Sequence, residues 1–355
     1  MTEQQPKPIK VLIVDDSALI RQLLTAILDE DDQIKVVGAA ADPYAARDAI
    51  KQLQPDVLTL DVEMPKMDGL AFLRNLMRLH PLPVVMVSSL TEAGAQVTLD
   101  ALDLGAIDFV TKPKTDVQQQ LTQYGDDLIA KVKTAAGARV SARGMATKAA
   151  TKAAPRLLHT TDRIIAIGAS TGGTEAIKIV VQTFPANTPA TLVTQHIPGS
   201  FSKAFVDRLN DISTVSVKQA RDGEPALPGH VYFPPGDHHL RLVRSGAKYL
   251  CQLDDSGPVN RHRPSVDVLF HAIAESAGPN ASAALLTGMG NDGAHGLLAI
   301  HEAGGHTIAQ DETSSIVWGM PRVAVELNAA KQILPLTEIG HALLTSCSES
   351  STEQA

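Results

Sequence analysis

Twice along the chain, short apolar and β-branched runs alternate with stretches of helical periodicity, and an alanine- and lysine-rich segment separates the two blocks. This alternation constrains the fold more than any other feature. A strand followed by a helix and another strand returns parallel to its predecessor, so each block implies a parallel sheet covered on both faces. In the first block, strands read at residues 10–14, 36–39, 57–60, 84–87 and 107–110. The second opens with a strand at residues 164–167 and continues with others at 190–196, 281–287 and 307–309. At 355 residues the chain has room for two domains, each with its own core. The expected fold class is α/β, with one domain at residues 8–133, a linker at 134–161 and a second domain at 162–345.

Open parallel sheets bind ligands beyond the carboxyl ends of their strands. In the first block the polar residues fall there: Asp15-Asp16 after the first strand, Asp61 at the third, Ser88 after the fourth and Lys112 after the fifth. Asp and Lys are common at strand ends, which explains any one of these but not the ordered set. Three converging carboxylates repel one another unless a cation sits among them, and their oxygens suit Mg²⁺. Lys112 adds a point charge for a phosphoryl group, to which the Ser88 hydroxyl can also hydrogen-bond.

The stretches Val14-Asp15-Asp16-Ser17, Asp61-Val62-Glu63-Met64-Pro65-Lys66-Met67-Asp68-Gly69 and Phe109-Val110-Thr111-Lys112-Pro113 resemble a two-component response-regulator receiver domain, a flavodoxin-like fold. The resemblance implies that Asp61 accepts phosphate from a histidine kinase. It also implies that Asp15 and Asp16 hold Mg²⁺ with help from the Glu63 carbonyl, and that Ser88 and Phe109 reorient as the switch.

Beyond it, residues 134–161 lose bulky apolar side chains, and Lys148-Ala149-Ala150-Thr151-Lys152-Ala153-Ala154 is nearly repetitive, which reads as a solvated connector. A net charge of −8 argues against general nucleic-acid binding. No apolar run is long enough to span a bilayer, and the polar first ten residues do not read as a secretory signal. The two cysteines, far apart, fit a reducing cytoplasm better than a disulfide framework.

The second block is organised around Ile164-Ile165-Ala166-Ile167-Gly168-Ala169-Ser170-Thr171-Gly172-Gly173-Thr174-Glu175-Ala176-Ile177, a strand, a turn of small residues and a helix. Ser170 in the turn faces the unpaired N–H groups of a helix start, and the spacing fits the G-x-S-x-G of a nucleophile elbow. A plain structural turn and a dinucleotide loop are the rival readings. Against the latter, Ser170 replaces the middle glycine of G-x-G-x-x-G, and the next strand ends in His196 rather than the acidic residue a ribose requires. With Asp292 in Gly288-Met289-Gly290-Asn291-Asp292-Gly293, three residues past strand ends make a serine, its base and the carboxylate that orients the base. Their order differs from the Ser, Asp, His of the α/β-hydrolases, so that fold is not assigned. Adjacent His238 and His239 would face opposite sides of a strand, and His301-Glu302-Ala303-Gly304-Gly305-His306 is one residue too long for H-E-x-x-H, so neither reads as a metal site.

Together with Gln195-His196-Ile197-Pro198 and Pro234-Pro235-Gly236-Asp237-His238-His239, the Ser170 and Asp292 motifs are similar to the catalytic domain of the chemotaxis protein-glutamate methylesterases, which implies a doubly wound, Rossmann-like sheet. On that resemblance Ser170 attacks glutamyl methyl esters of chemoreceptors and, by the same acyl chemistry, deamidates specific glutamines. The Met289 backbone N–H is the candidate oxyanion donor, Thr171 helps position the site, and Arg263 and Ser265 contact substrate, although helix capping explains Ser265 as well. No cofactor is expected in this domain, and no insertion into the membrane. Two other classes stand against this reading. A DNA-binding regulator would need a basic recognition helix, which the block lacks, and a catalytically silent docking module would not need the Ser170, His196 and Asp292 set.

Overall fold

The computed structural model describes residues 7–64, 68–89, 91–112, 118–138 and 162–348, in two units that divide between Ala146 and Thr147. In the first unit, β1 (Ile9–Val14) is fully buried over its last four residues, as a central parallel strand requires. There follow α1 (Ala18–Leu28), β2 (Ile34–Ala40), α2 (Pro43–Leu53), β3 (Val57–Asp61), α3 (Gly69–Leu79), β4 (Val84–Ser88), α4 (Glu92–Asp103), β5 (Asp108–Thr111) and α5 (Gln118–Ala136). All strands are parallel, in the order β2-β1-β3-β4-β5. The helix starts are set locally: Ser17, Asp42, Asp68 and Thr91 each accept a backbone N–H from the first turn that follows. Helix α5 continues past residue 133 to Ala136, with Ala135 fully buried, so the helical core reaches into the segment that composition assigns to the linker. The rest of that segment, from residue 139 to 161, lies outside the described residues, as do Pro65, Lys66, Met67 and Pro113 of the receiver-like motifs.

The second unit contains β6 (Ile164–Ala169), α6 (Gly173–Val181), β7 (Ala190–Gln195), α7 (Gly199–Asp211), β8 (Ser216–Gln219), β9 (His230–Phe233), β10 (His239–Ser245), β11 (Lys248–Asp254), α8 (Val266–Ala277) and β12 (Ala281–Leu285). It ends with α9 (Ala294–Glu302), β13 (His306–Gln310), α10 (Met320–Glu326), β14 (Gln332–Leu334) and α11 (Leu336–Ser348). Seven strands form one parallel sheet, β14-β13-β12-β6-β7-β9-β8, and β10 and β11 make a separate antiparallel pair. The stretch from 216 to 254, which lacks a clear period in the sequence, therefore holds four strands. From β6 the chain winds outward through β7 to β9 and β8, then returns on the other side of β6 with β12. That reversal opens a crevice at the carboxyl ends of β6 and β12, where a doubly wound sheet takes its ligand. In the first unit the reversal lies between β1 and β3, beside Asp15 and Asp61. No described helix is long and apolar enough to cross a membrane.

Candidate active site

The crevice of the second unit brings together three residues from three connections. Ser170 leaves β6, His196 leaves β7, and Asp292 lies in the loop between β12 and α9. The Ser170 Oγ is 3.1 Å from His196 Nδ1, and His196 Nε2 is 2.7 Å from Asp292 Oδ2. Nε2 thus carries the proton toward the carboxylate and Nδ1 faces the hydroxyl as acceptor.

Backbone contacts hold the two strand ends together. The Ser170 N–H donates to the Thr287 carbonyl at 3.0 Å, and the Thr287 hydroxyl donates to the Thr171 carbonyl at 3.0 Å. Gly288 permits this approach, since a Cβ there would stand 2.7 Å from the Ser170 Cβ. The turn is not a nucleophile elbow. The left-handed position is Gly172, with φ 75°, and the strain an elbow loads onto its serine is absent from Ser170. The Ser170 N–H, committed to Thr287, is not an oxyanion donor; Met289 is half-buried in the β12–α9 loop. Thr171 is buried and ties the two loops.

Asp292 is almost completely buried and sits at the start of α8. Its Oδ1 accepts from the Ser265 hydroxyl at 2.7 Å, the Asn260 amide at 2.8 Å and the Asp267 N–H at 3.2 Å, and Oδ2 accepts from the Val266 N–H at 2.6 Å. Burial pushes this carboxyl up, but the hydrogen bond and charge of His196, with the donors from Asn260 and Ser265, more than offset it and hold Asp292 well below the ordinary range. The helix start adds favourable partial positive charge.

Other expectations fare differently. Ser265 is fully buried, caps α8 and spends its hydroxyl on Asp292, so it cannot reach substrate. Arg263 is exposed, and its Nη1 donates to the Asp255 and Ser256 carbonyls at 3.1 Å, bracing a loop. His239 is buried, accepting from the Ser265 N–H at 3.0 Å and bonding the Gly257 carbonyl at 3.1 Å, while His238 lies 3.0 Å from Asp255. Helix α9 ends at Glu302 and Gly304 turns left-handed, so His301 and His306 share no helix.

Three site residues escaped sequence reasoning. Gln195 is buried and donates from Nε2 to the carbonyls of Ser170 and His196, at 2.8 and 3.2 Å. The His262 ring stacks on His196 at 3.7 Å with 14° between planes. Asn260 bridges Asp292 and Asp267. Gln195 is signalled by its place beside His196 at a buried strand end, whereas nothing local marks Asn260 or His262, which lie far from the triad in sequence.

In the first unit, Asp15, Asp16 and Asp61 each present an oxygen, all within 4.8 Å of one another, the one such group among the described residues. Asp61 is 1% exposed; its Oδ2 is 2.8 Å from Lys112 Nζ, and Oδ1 accepts from the Glu63 N–H at 3.2 Å. Burial raises its carboxyl to about 6, with Asp15 adding to the rise and Lys112 opposing it. Asp15 Oδ2 is buried without a hydrogen bond, although Lys112 Nζ stands 3.3 Å away. Ser88 is buried with its Oγ 2.7 Å from the Thr98 hydroxyl of α4, and Phe109 is buried with Lys131 Nζ 5.5 Å over its ring.

Comparison with known proteins agrees over both units. Residues 165–343 match the CheB methylesterase family and residues 11–123 the response regulator receiver domain. The protein-glutamate methylesterase/protein-glutamine glutaminase 1 of Xanthomonas euvesicatoria pv. vesicatoria is 57% identical over 95% of this chain and 97% of its own. The protein-glutamate methylesterase/protein-glutamine glutaminase of Salmonella choleraesuis is 54% identical over 96% and 97%. The crystal structure of the Thermotoga maritima CheB methylesterase catalytic domain covers 52% of this chain and 99% of its own, with a TM-score of 0.51 and 37% identity. The chain, in which a five-stranded unit with its acidic cluster is followed along the sequence by a seven-stranded doubly wound unit with Ser170, His196 and Asp292 in its crevice, thus belongs to the CheB methylesterase family in its receiver-bearing form.

Proposed function

We infer that the chain is a phosphorylation-regulated serine hydrolase of chemotaxis, which cleaves glutamyl methyl esters and glutamine side-chain amides on methyl-accepting chemoreceptors. The observation that carries the reading is the continuous contact from Ser170 Oγ through His196 to Asp292, at 3.1 and 2.7 Å. A serine hydroxyl is a weak nucleophile until a base takes its proton. In this reading His196 Nδ1 accepts that proton as Oγ adds to the γ-carbonyl carbon, and Asp292, held ionised, stabilises the imidazolium through Nε2–H. The tetrahedral oxyanion collapses, the C–O bond to the methoxy group breaks, and the Nδ1 proton leaves with it as methanol. Water then adds to the acyl-serine, giving its proton to His196. Collapse breaks the bond to Ser170, which regains the proton and frees the glutamate carboxyl. Deamidation follows the same course with ammonia leaving. The Met289 backbone N–H is the proposed oxyanion donor, and removal of one such donor typically costs on the order of a hundredfold in rate.

Asp61 is the proposed phosphate acceptor, from a chemotaxis histidine kinase in the cytoplasm. The acidic cluster fits a divalent cation, because Asp15 Oδ2 is buried without a hydrogen bond and the three carboxylates repel one another. Asp15, Asp16 and Asp61 would hold Mg²⁺, with the Glu63 carbonyl. When bound, the ion neutralises carboxylate and phosphoryl charge. Lys112, beside Asp61 and Asp15, pairs with the incoming phosphoryl oxygens, and Ser88 and Phe109 carry the change of state. Methanol release from methylated receptor membranes, with and without acetyl phosphate and Mg²⁺, tests the reading. Release that rises with acetyl phosphate, and fails to rise for Asp61→Ala, is expected. Absence of release under every condition would overturn the esterase, and equal stimulation of Asp61→Ala would overturn the phosphate acceptor.

A further inference from the structure

Between β11 and α8 the chain makes a two-residue turn whose ends pair reciprocally, with the Val259 N–H donating to the His262 carbonyl at 3.0 Å and the His262 N–H to the Val259 carbonyl at 2.9 Å. Its central residues, Asn260 at φ 52° and Arg261 at φ 68°, are both left-handed, the pattern of a type I′ turn. Asparagine tolerates this conformation and arginine does so at a cost, so the turn is held against local preference. One central residue and one end of it touch the site. The Asn260 amide nitrogen donates to Asp292 Oδ1 at 2.8 Å and to Asp267 Oδ2 at 2.7 Å, using both of its hydrogens. Two residues on, His262 lies flat against His196.

We propose that Asn260 is a positioning residue of the hydrolase: its amide fixes the Asp292 carboxylate between His196 and Asp267 and keeps the two acids from competing for position. The proposal rests on the reading of Ser170, His196 and Asp292 as the catalytic unit. Asp292 Oδ1 is the oxygen Asn260 holds, while Oδ2 faces His196, so the amide sets the rotation of the carboxyl group about its own axis. Without it, Asp267 and Asp292 would face each other across the start of α8 with only Ser265 and backbone N–H groups to orient Asp292. The titratable groups around this amide are Asp267, Asp292, His196 and His262, with His239 behind Ser265 and His271 farther along α8.

Asn260→Gly separates the two roles of the residue, since glycine keeps the left-handed turn and removes the amide. Full-length Asn260→Gly, Asn260→Asp, Ser170→Ala and wild type are compared in methanol release from methylated receptor membranes as a function of pH. Loss of a hydrogen bond to a buried charge is expected to lower kcat by about 10- to 100-fold, with KM little changed. Released from Asn260, the carboxylate pulls harder on the Nε2 proton. The acidic limb of the rate profile therefore moves to higher pH in Asn260→Gly, and farther in Asn260→Asp, which adds a negative charge. A purely structural role in the turn would leave that limb in place. Wild-type kcat and an unmoved limb in Asn260→Gly, with Ser170→Ala inactive, would overturn the positioning role alone. An active Ser170→Ala would overturn the catalytic reading on which it rests.

Discussion

Two buried aspartates, Asp61 as the last residue of β3 and Asp292 in the loop after β12, stand at the carboxyl edges of the two parallel sheets beside the points where their winding reverses, yet their electrostatics are opposite. Burial pushes both carboxyls up. For Asp61 that push prevails, to about 6, because only Lys112 and one N–H oppose it while Asp15 reinforces it. For Asp292 it is overcome by His196, Asn260, Ser265 and two N–H groups at the start of a helix. On the proposed function, the difference separates a charge that must stay fixed from one that must change. Asp292 is solvated in advance by the fold, as a carboxylate that stabilises a transient imidazolium has to be. Asp61 is under-solvated, which favours whatever brings positive charge to it and suits a carboxylate that exchanges its own charge for a covalent phosphoryl group.

The largest expected effect breaks the hydrolase side outright. Ser170→Ala and His196→Ala should each lower kcat by about 10⁴- to 10⁶-fold in methanol release while circular dichroism stays native. Asp292→Asn should follow at about 10⁴-fold, because the amide offers the imidazole the wrong tautomer.

Stability then sharpens the contrast, since the two Asp→Asn changes should have opposite signs. In metal-free buffer at pH 7, Asp61→Asn should stabilise the first unit by about 1–3 kcal/mol, by removing a poorly solvated charge, with Asp15 still available to Lys112. Asp292→Asn should destabilise the second unit by about 2–4 kcal/mol, leaving donors unmatched. The pH windows are opposite too. A raised Asp61 contributes stability below the unfolded carboxyl pKa of about 4, lost as pH rises through about 6. A depressed Asp292 contributes stability above about pH 4, lost as pH falls below it. Urea unfolding of each variant between pH 3 and 8, followed by probes in each unit, checks both signs; the same sign for both would refute the contrast. The smallest effect is expected for Ser265→Ala, which loses a cap and one of the Asp292 donors and should cost about 1–2 kcal/mol in the same assay.

Much of this was legible from residues alone. Strand–helix alternation predicts both parallel sheets, because a period of two giving way to one of 3.6 is written in consecutive side chains. Asp15, Asp61, Lys112, Ser170, His196 and Asp292 announce themselves by lying just beyond buried runs, since that topology gathers strand ends onto one edge. What remained hidden has a common cause. Of the four strands between residues 216 and 254, β8 and β9 are only four residues long, and β10 and β11 form an antiparallel pair with no helix between them, so strand–helix alternation does not mark them. The elbow geometry was misleading, because G-x-S-x-G records spacing but not which residue carries the positive φ. Ser265 read as a cap and is one, but only packing reveals that its hydroxyl serves Asp292, 27 residues away.

The sequence by itself thus determined two parallel sheets and the chemical types gathered at the carboxyl ends of their strands, because those follow from local patterns repeated along the chain; the strand order, and with it each switch point, came only with the fold. The tertiary structure decided which nitrogen of His196 faces the serine, that five donors converge on Asp292 while Asp61 is held by Lys112 and one N–H, and that a turn around Asn260 and His262 packs against the site. Solvation of a buried charge is a sum over neighbours from many elements, and no single stretch of sequence contains that sum.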